Sequence, residues 1–364
     1  MSKIRHNWTT AQILDIYNKP MMELLYEAAT VHRLHHDPNT VQVSTLISIK
    51  TGGCSEDCGY CPQAARYHTD VEGNDLMTIQ QVKAQALRAK SGGSSRVCMG
   101  AAWRNIKDGP EFDQVLEMVR TINKLDMEVC CTLGMVTENQ AKRLAESGLY
   151  AYNHNLDSSE EYYKEVISTR GFEDRLKTID NVRKTNVTVC SGGIIGMGEK
   201  TEDRAGMLVA LSTLNPQPES TPINALVAVE GTPLENQKPI EIWDMVRMVA
   251  TTRIVLPETQ VRLSAGRTQM SREGQAMCFF AGANSIFAGD KLLTTPNPEI
   301  EGDMELFKTL GLKPQKPFTK KEQPQTIEAK DSKFEALGEK PKWTRPDHKI
   351  ERNELAKQNR KPLK

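Results

Sequence analysis

Short apolar runs alternate with helical patterns along most of the chain. Eight of these runs are rich in branched and aromatic residues and are bounded by glycine, proline or polar residues, which is typical of strands. The predicted strands cover residues 43–49, 95–99, 127–132, 150–155, 187–191, 223–229, 261–264 and 285–288.

Helix signals lie between the predicted strands. Thr78 and Thr137 each stand three residues before a glutamine, which is the spacing of a capping box, and the two helices end at Gly92 and Gly148. Pro110 opens another helix, whose apolar face holds Val115, Leu116, Val119, Ile122 and Leu125. Further helices are predicted over residues 173–184, 202–214, 240–254 and 272–281.

This alternation indicates a parallel sheet, because parallel neighbours need a crossover connection. Eight such units match the roughly 250 residues of a (β/α)8 barrel of the TIM type. The sequence therefore predicts an α/β protein with its barrel over residues 41–312. An open doubly wound sheet is the alternative.

The two ends of the chain differ from this central region. Residues 1–40 predict an N-terminal helical extension. Residues 313–364 contain 15 Lys or Arg and 8 Asp or Glu, and they are rich in proline and glutamine. A segment of this composition buries too little apolar surface to order itself, so we expect a basic, disordered tail.

Composition argues against several classes of protein. The 364 residues include 47 basic and 47 acidic side chains, whereas a protein that binds nucleic acid needs a basic surplus. No apolar run approaches the roughly 20 residues of a membrane-spanning helix, and the N-terminus lacks the apolar stretch of a secretion signal. We therefore expect a cytoplasmic protein whose 8 cysteines serve metal or redox chemistry rather than disulfides.

Cysteines and polar residues fall late in the predicted strands or just after them. They are Cys54, Cys98, Cys130, Asn153, Asp157, Cys190, Asn224 and Arg262. In a barrel these positions line the C-terminal mouth, where the active sites of this fold lie.

Three of the cysteines form a tight group. Cys54, Cys58 and Cys61 follow the first predicted strand and a loop with two glycines. Three thiolates so close together can hold a 4Fe–4S cluster and leave one iron open for a substrate or cofactor. A zinc site completed by His68 is an alternative, although zinc sites more often add a second pair of ligands, and three packing thiols are another.

The spacing Cys-x3-Cys-x2-Cys, with Tyr60 before the last cysteine, resembles the signature of the radical S-adenosylmethionine (SAM) enzymes. Within that class the chain resembles the biotin synthase family over roughly residues 1–316. The stretches that carry this resemblance are VCMGAAW (97–103), YNHNLD (152–157), CSGGIIGMGE (190–199), PINALV (222–227), VRLSAGR (261–267) and LLTTPNP (292–298). The basic tail lies outside it.

The resemblance implies a set of residue roles. Cys54, Cys58 and Cys61 would hold a 4Fe–4S cluster whose open iron binds SAM. SAM would also meet Tyr60, Gly100, Ala101, Asn155, Asp157, Arg175 and Ile194. The substrate would meet Asn153, Asn155, Asn224, Thr294 and Thr295. From the residues alone, Asn153, Asn155 and Asp157 alternate along one predicted strand and share a face, with a solvated edge strand as the alternative.

The resemblance further implies a second, catalytic 2Fe–2S cluster, held by Cys98, Cys130, Cys190 and Arg262. A lone buried cysteine is most often a small core residue. A buried arginine is harder to dismiss, because an unpaired interior charge costs several kcal/mol and a thiolate-bound cluster would balance it. Successive strand residues face opposite sides, so the neighbouring Cys131 should face the helices.

The implied activity is the last step of biotin formation. Two hydrogens leave dethiobiotin in turn, and a sulfur from the 2Fe–2S cluster closes the new ring. The implied partners are dethiobiotin, a flavodoxin-type electron donor, the iron–sulfur assembly machinery and a second copy of the chain. Another radical SAM barrel enzyme, such as a diiron-site maturase, is a second hypothesis. A zinc-stabilised binding protein that uses the basic tail is a third.

Overall fold

Eight parallel strands close into a barrel in the computed structural model, which describes residues 4–289 and 291–325. The strands in chain order are β1 (Thr40–Lys50), β2 (Arg96–Ala101), β3 (Glu128–Thr132), β4 (Ala151–Asn153), β5 (Thr188–Cys190), β6 (Gly193–Ile195), β7 (Ser220–Ala225), β8 (Gln260–Leu263), β9 (Ser285–Ala288) and β10 (Lys313–Pro314). The eight barrel strands are β1–β5 and β7–β9, while β6 is an additional strand beside β7 and β10 one beside the start of β1. β1 pairs with β9, with Gln42 opposite Ser285, and this pairing closes the ring. The fold is therefore the predicted TIM-type barrel and not an open sheet.

Helices cover the outside of the ring. They are α1 (Thr10–Tyr17), α2 (Met21–His35), α3 (Ile79–Ser91), α4 (Pro110–Asn123), α5 (Glu138–Glu146), α6 (Glu160–Val166), α7 (Phe172–Arg183), α8 (Thr201–Thr213), α9 (Ile242–Val255), α10 (Arg272–Phe280) and α11 (Ile300–Leu310). Both predicted capping boxes are present, since Thr78 accepts from the amide of Gln81 and Thr137 from that of Gln140. No helix in the described ranges combines the length and apolar character that crossing a membrane requires.

Strand alternation separates two cores. Val97, Met99 and Cys131 pack into the large apolar core between the strands and the helices. Cys98 and Cys130 belong instead to a smaller set of side chains inside the barrel. Cys131 therefore faces the helices, as the two-residue period of a strand predicts.

The fourth and fifth strands differ from the prediction. β4 ends at Asn153, and Asp157 has a φ of 68°, so Asn153, Asn155 and Asp157 do not share one strand face. The predicted strand 187–191 ends at Cys190, and the separate strand β6 follows it. The break falls at Gly192, where a Cβ would lie 2.0 Å from the carbonyl oxygen of Pro222, so only glycine lets the chain pass.

The expected boundary at residue 312 falls inside a packed segment. β10 pairs with the start of β1, and the amide of Phe318 donates to Oε1 of Glu128 at 2.7 Å. The composition of the tail could not predict these contacts. They are hydrogen bonds of the backbone and the packing of one aromatic ring, and neither depends on a high apolar content. Residues 326–364 of the predicted tail lie outside the described residues.

Candidate functional site

The first thiol group lies on the loop that leaves β1. The amide of Cys54 donates to the carbonyl of Gln63 at 3.0 Å, and the amide of Cys61 donates to the carbonyl of Cys58 at 2.9 Å. Cys58 is buried, while Cys54 and Cys61 are half-buried. Burial raises the pKa of Cys54, Cys58 and Cys61, that of Cys61 to about 12, so these thiols stay protonated until a metal displaces the protons.

A buried carboxylate anchors this loop. Asp57 Oδ1 accepts from the amides of Ser168 at 2.9 Å and Thr169 at 3.1 Å, on the chain segment before α7. Burial acts to raise the pKa of Asp57, but the hydrogen bonds from Ser168 and Thr169 outweigh it and hold that pKa below its usual value. Nothing in the sequence indicated this role, because the partners are more than a hundred residues away.

We expect Asp57→Asn to destabilise the protein, because the amide cannot match the charge that now accepts two backbone N–H groups. A charge-assisted hydrogen bond contributes about 1.5–3 kcal/mol to stability. Because the folded-state pKa is depressed, this contribution is present above the unfolded-state pKa and is lost as the pH falls through the folded-state value. Chemical denaturation of both proteins over a pH series measures it. A difference that does not shrink in acid would contradict the assignment.

A cavity of about 320 Å3 opens above the barrel, at the C-terminal ends of its strands. Its walls include most of the residues proposed from sequence, namely Cys54, Cys58, Tyr60, Cys61, Cys98, Ala101, Cys130, Asn153, Asn155, Asp157, Arg175, Ile194, Asn224, Arg262, Thr294 and Thr295. Gly100 and Cys190 are not among these lining residues. A Cβ on Gly100 would lie 2.5 Å from the side chain of Leu293, so this glycine makes room for the loop that carries Thr294 and Thr295.

The second thiol group, which we call the three-thiol site, comprises Cys98, Cys130 and Cys190. These residues lie on β2, β3 and β5, and all three are at most 3 % exposed. A hydrogen bond with Cys130 and the nearby charge of Arg262 together outweigh burial and lower the pKa of Cys190 to about 6. A hydrogen bond with Cys130 likewise lowers the pKa of Cys98, whereas hydrogen bonding to its two neighbours and burial raise the pKa of Cys130.

Arg262 reaches the three-thiol site from β8. Its Nη1 lies 3.7 Å from Sγ of Cys190, its Nε donates to Ser285 at 2.9 Å, and its Nη2 donates to Oε1 of Gln42 at 2.7 Å. Within the described residues, its hydrogen-bond acceptors include no carboxylate. A buried guanidinium with neutral partners favours a negative group beside it, which thiolates or a thiolate-bound cluster would supply.

Sequence reasoning missed Gln42 and Ser285, which hold Arg262 in place. The signal was present in β1, where Gln42 and Ser44 alternate with Val41 and Val43. Polar residues at the inward positions of a barrel strand indicate a polar interior.

Three asparagines shape the barrel wall between the two thiol groups. Asn153 Nδ2 donates to Oδ1 of Asn155 at 3.0 Å and to Sγ of Cys190 at 3.3 Å. Asn224 Nδ2 donates to the carbonyl of Gly193 at 2.9 Å, and its Oδ1 accepts from the amide of Ala265. These hydrogen bonds fix the side chains of Asn153 and Asn224, which line the cavity together with Asn155.

Asp157 joins the wall to the cysteine loop. Its Oδ2 accepts from the hydroxyl of Tyr60 at 2.8 Å and from Nη2 of the buried Arg175. Arg175 also donates to the hydroxyl of Tyr163 at 2.9 Å. The structure therefore brings together three of the residues proposed to meet SAM. Glu199, in the stretch 190–199 that resembles the family, has a different role. Its carboxylate accepts from the backbone amides of Gly196 and Met197 and so stabilises a turn.

The two thiol groups have the ligand chemistry that iron–sulfur clusters require. No group of three or more His, Cys, Asp or Glu side chains in the described part of the chain is arranged to hold a metal ion. A 4Fe–4S cluster binds each thiolate to a different iron and a 2Fe–2S cluster spreads its four ligands over two irons, so neither gathers all its ligands around one ion. The zinc alternative finds no support here, since His68 is exposed and is not among the residues that line the cavity.

Comparison with known proteins places the chain in a class. The model of the radical SAM superfamily matches residues 48–211, and that of the biotin and thiamin synthesis associated domain matches residues 222–313. Methylornithine synthase shares the fold at a TM-score of 0.71 and 17% identity, covering 85% of this chain and 94% of that one. An FeFe-hydrogenase maturase from Carboxydothermus hydrogenoformans shares it at a TM-score of 0.71 and 15% identity, covering 85% and 76%. The class is that of the radical SAM enzymes, whose members use a 4Fe–4S cluster and SAM.

Curated relatives narrow this class to one family. Biotin synthase of Flavobacterium psychrophilum is 82% identical over 97% of this chain and 98% of its own length. That of Christiangramia forsetii is 80% identical over 98% and 99%, and that of Nostoc punctiforme is 56% identical over 88% and 97%. The chain belongs to the biotin synthase family.

Proposed function

We propose that this protein converts dethiobiotin into biotin by radical insertion of one sulfur atom. One observation carries the proposal: a second group of thiols, with a guanidinium beside it, lies inside the barrel beneath the cavity that the first thiol group lines. A single thiol loop would suffice for radical generation alone. The second group supports a sulfur source within reach of a substrate in the cavity.

The thiol groups would hold the clusters, one of each kind per chain. Cys54, Cys58 and Cys61 are the proposed ligands of the 4Fe–4S cluster, and Cys98, Cys130, Cys190 and Arg262 those of the 2Fe–2S cluster. When bound, the 4Fe–4S cluster and SAM supply a radical that removes hydrogen, and the 2Fe–2S cluster supplies the sulfur.

The remaining residues bind and orient. Tyr60, Gly100, Ala101, Asn155, Asp157, Arg175 and Ile194 are the proposed SAM contacts, with Gly100 acting through the packing of the loop above it. Asn153, Asn155, Asn224, Thr294 and Thr295 are the proposed dethiobiotin contacts. The Asp157–Arg175 pair fixes the wall beside the cysteine loop, and barrel walls on all other sides keep water from a reactive carbon radical.

Further partners follow from the same proposal. An electron donor of the flavodoxin type would reduce the 4Fe–4S cluster. The iron–sulfur assembly machinery would load both clusters, and two copies of the chain would form a homodimer in the cytoplasm.

Anaerobic turnover tests the proposal. Protein with both clusters is incubated with dethiobiotin, SAM and a reductant, and biotin is measured by mass spectrometry. We expect biotin with sulfur that originates in the protein, traced by assembling the clusters with labelled sulfide. Biotin formation that needs no SAM, or no biotin from protein with both clusters, would reject the function.

We expect Arg262→Ala to be milder than the loss of any one thiol. Three thiolates provide most of the binding, and water can occupy the fourth position of the cluster. Removing the guanidinium takes one positive charge from beside Cys190, so the cluster should become harder to reduce. Cluster content from visible absorbance and the reduction potential measure the effect. A variant that assembles no 2Fe–2S cluster would contradict this expectation.

A further inference from the structure

The described chain ends by crossing the N-terminal end of the barrel. The amide of Gln315 donates to the carbonyl of Val41 at 2.8 Å, next to β10. Phe318 then turns towards the interior with a φ of 59°. Its ring packs against the interior side chains that include the three-thiol site. We call residues 315–323 the floor segment.

Contacts connect the floor segment to the site above it. The ring of Phe318 meets that of Tyr150 edge-on, with centroids 5.8 Å apart. The backbone N–H of Phe318 donates to Glu128, whose other carboxylate oxygen lies 3.4 Å from Nε2 of Gln42. Gln42 in turn accepts from Arg262, so a continuous network runs from the floor segment to the three-thiol site.

The floor segment is nevertheless lightly held. None of residues 313–325 is buried, and β10 is only two residues long. Its outer contacts are side-chain hydrogen bonds, such as those from Lys320 to the carbonyl of Glu258 at 3.2 Å and from Gln323 to that of Asn123 at 3.0 Å. A segment with so little buried surface can open without unfolding the strands it covers.

The interior just above the floor segment is polar. Arg96 donates to Glu128 at 2.7 Å and to both carboxylate oxygens of Glu219 at 3.0 Å. Ser44 Oγ, Tyr150 Oη and Gln260 Oε1 are buried and have no hydrogen-bond partner among the described residues. Walls of this kind accept water and ions once the floor segment moves, whereas an apolar barrel interior would stay dry.

We propose that the floor segment is a displaceable gate, and that iron and sulfide ions reach the three-thiol site through the N-terminal end of the barrel. The identity of the ions rests on the proposed function, while the gate itself concerns only access to the thiols. From the opposite end, bound SAM and dethiobiotin would cover the site. Assembly of a 2Fe–2S cluster from two ferric and two sulfide ions transfers no electrons, and any thiol that still carries a proton releases it on binding iron.

Thiol alkylation in the metal-free, full-length protein tests the gate without any cluster. N-ethylmaleimide modification is followed at each cysteine by mass spectrometry in wild type, Phe318→Ala and Lys316→Ala, a matched change at an exposed position of the same segment. We expect Phe318→Ala to speed modification of Cys98, Cys130 and Cys190 about tenfold, because local opening sets the rate. Lys316→Ala should match wild type.

Cys131 and Cys278 serve as internal controls, since both are buried outside the barrel interior. A chain truncated after residue 312 should give the same pattern as Phe318→Ala. Equal rates in all variants would overturn the proposal. A uniform rise at every cysteine would overturn it too, because the segment would then stabilise the whole barrel rather than close one end.

Cluster assembly gives a second readout. Formation of 2Fe–2S absorbance from ferric iron and sulfide is timed with SAM and dethiobiotin present, in protein that already holds its 4Fe–4S cluster. We expect wild type to assemble at an unchanged rate when the cavity is filled, and Phe318→Ala to assemble faster. Assembly blocked by the two ligands would place the route at the opposite mouth and overturn the gate. Faster alkylation in Phe318→Ala with no 2Fe–2S absorbance in any variant would support the gate and reject the proposed function.

Discussion

Cys130→Ser is expected to abolish the 2Fe–2S cluster and biotin formation while SAM still binds at the cysteine loop. Cys130 stands at the centre of the three-thiol site, where it forms hydrogen bonds with both other thiols. Serine keeps the size of the side chain but is a poor ligand for iron, so loss of the cluster would not reflect loss of packing. Visible absorbance, SAM binding by calorimetry and biotin yield are measured on the same preparations.

The next residue provides the control. Cys131 has the same chemistry and full burial, but it packs among the helices, and burial raises its pKa. Cys131→Ser should keep both clusters and lose only some stability. If Cys131→Ser lost the 2Fe–2S cluster while Cys130→Ser kept it, the inward and outward faces of β3 would be assigned the wrong way round.

Cys58→Ser is expected to eliminate SAM binding together with the 4Fe–4S cluster. Cys58 is buried, and its pKa is raised by burial and partly lowered by the nearby Arg170. A cluster anchored by only two thiolates would leave two irons without protein ligands. Electron paramagnetic resonance of the reduced protein, with and without SAM, measures the loss.

Cys278→Ser is the matched control for this change. Cys278 is a buried thiol of α10 in the outer core, where burial raises its pKa to about 12. It should retain the reduced-cluster signal and its response to SAM. A Cys58→Ser protein that still changed its signal on adding SAM would mean that Cys58 is not a ligand of the open-iron cluster.

The repeating parts of the fold could be predicted from sequence because they depend on local pattern. Apolar runs separated by capping boxes define the strands and helices, and the two-residue period separates Cys130 from Cys131. These features require no knowledge of which distant residues meet. The number of units favoured closure of the barrel, but an open sheet remained the alternative, and only the pairing of β1 with β9 decides between them.

The remaining features depend on long-range contacts. Asp57 anchors the cysteine loop only because the segment before α7 returns beside it. The left-handed backbone at Asp157 is held by pairing with Gly193, and aspartate gives little sign of it in the sequence. The packing of residues 313–325 depends on one ring and a few backbone hydrogen bonds. Composition averages over such single contacts. The boundary predicted from it, at residue 312, therefore precedes the contacts of residues 313–318.

The charges inside the barrel bear on whether the chain folds before or after it binds its clusters. Arg96 lies between the carboxylates of Glu128 and Glu219, and Arg262 lies beside Cys190, whose pKa of about 6 makes it a thiolate at neutral pH. Each of these two guanidinium groups therefore has a negative partner in a newly made chain, before any metal binds. Small zinc domains, by contrast, fold only when their metal arrives. This barrel can fold first and bind its iron–sulfur clusters afterwards.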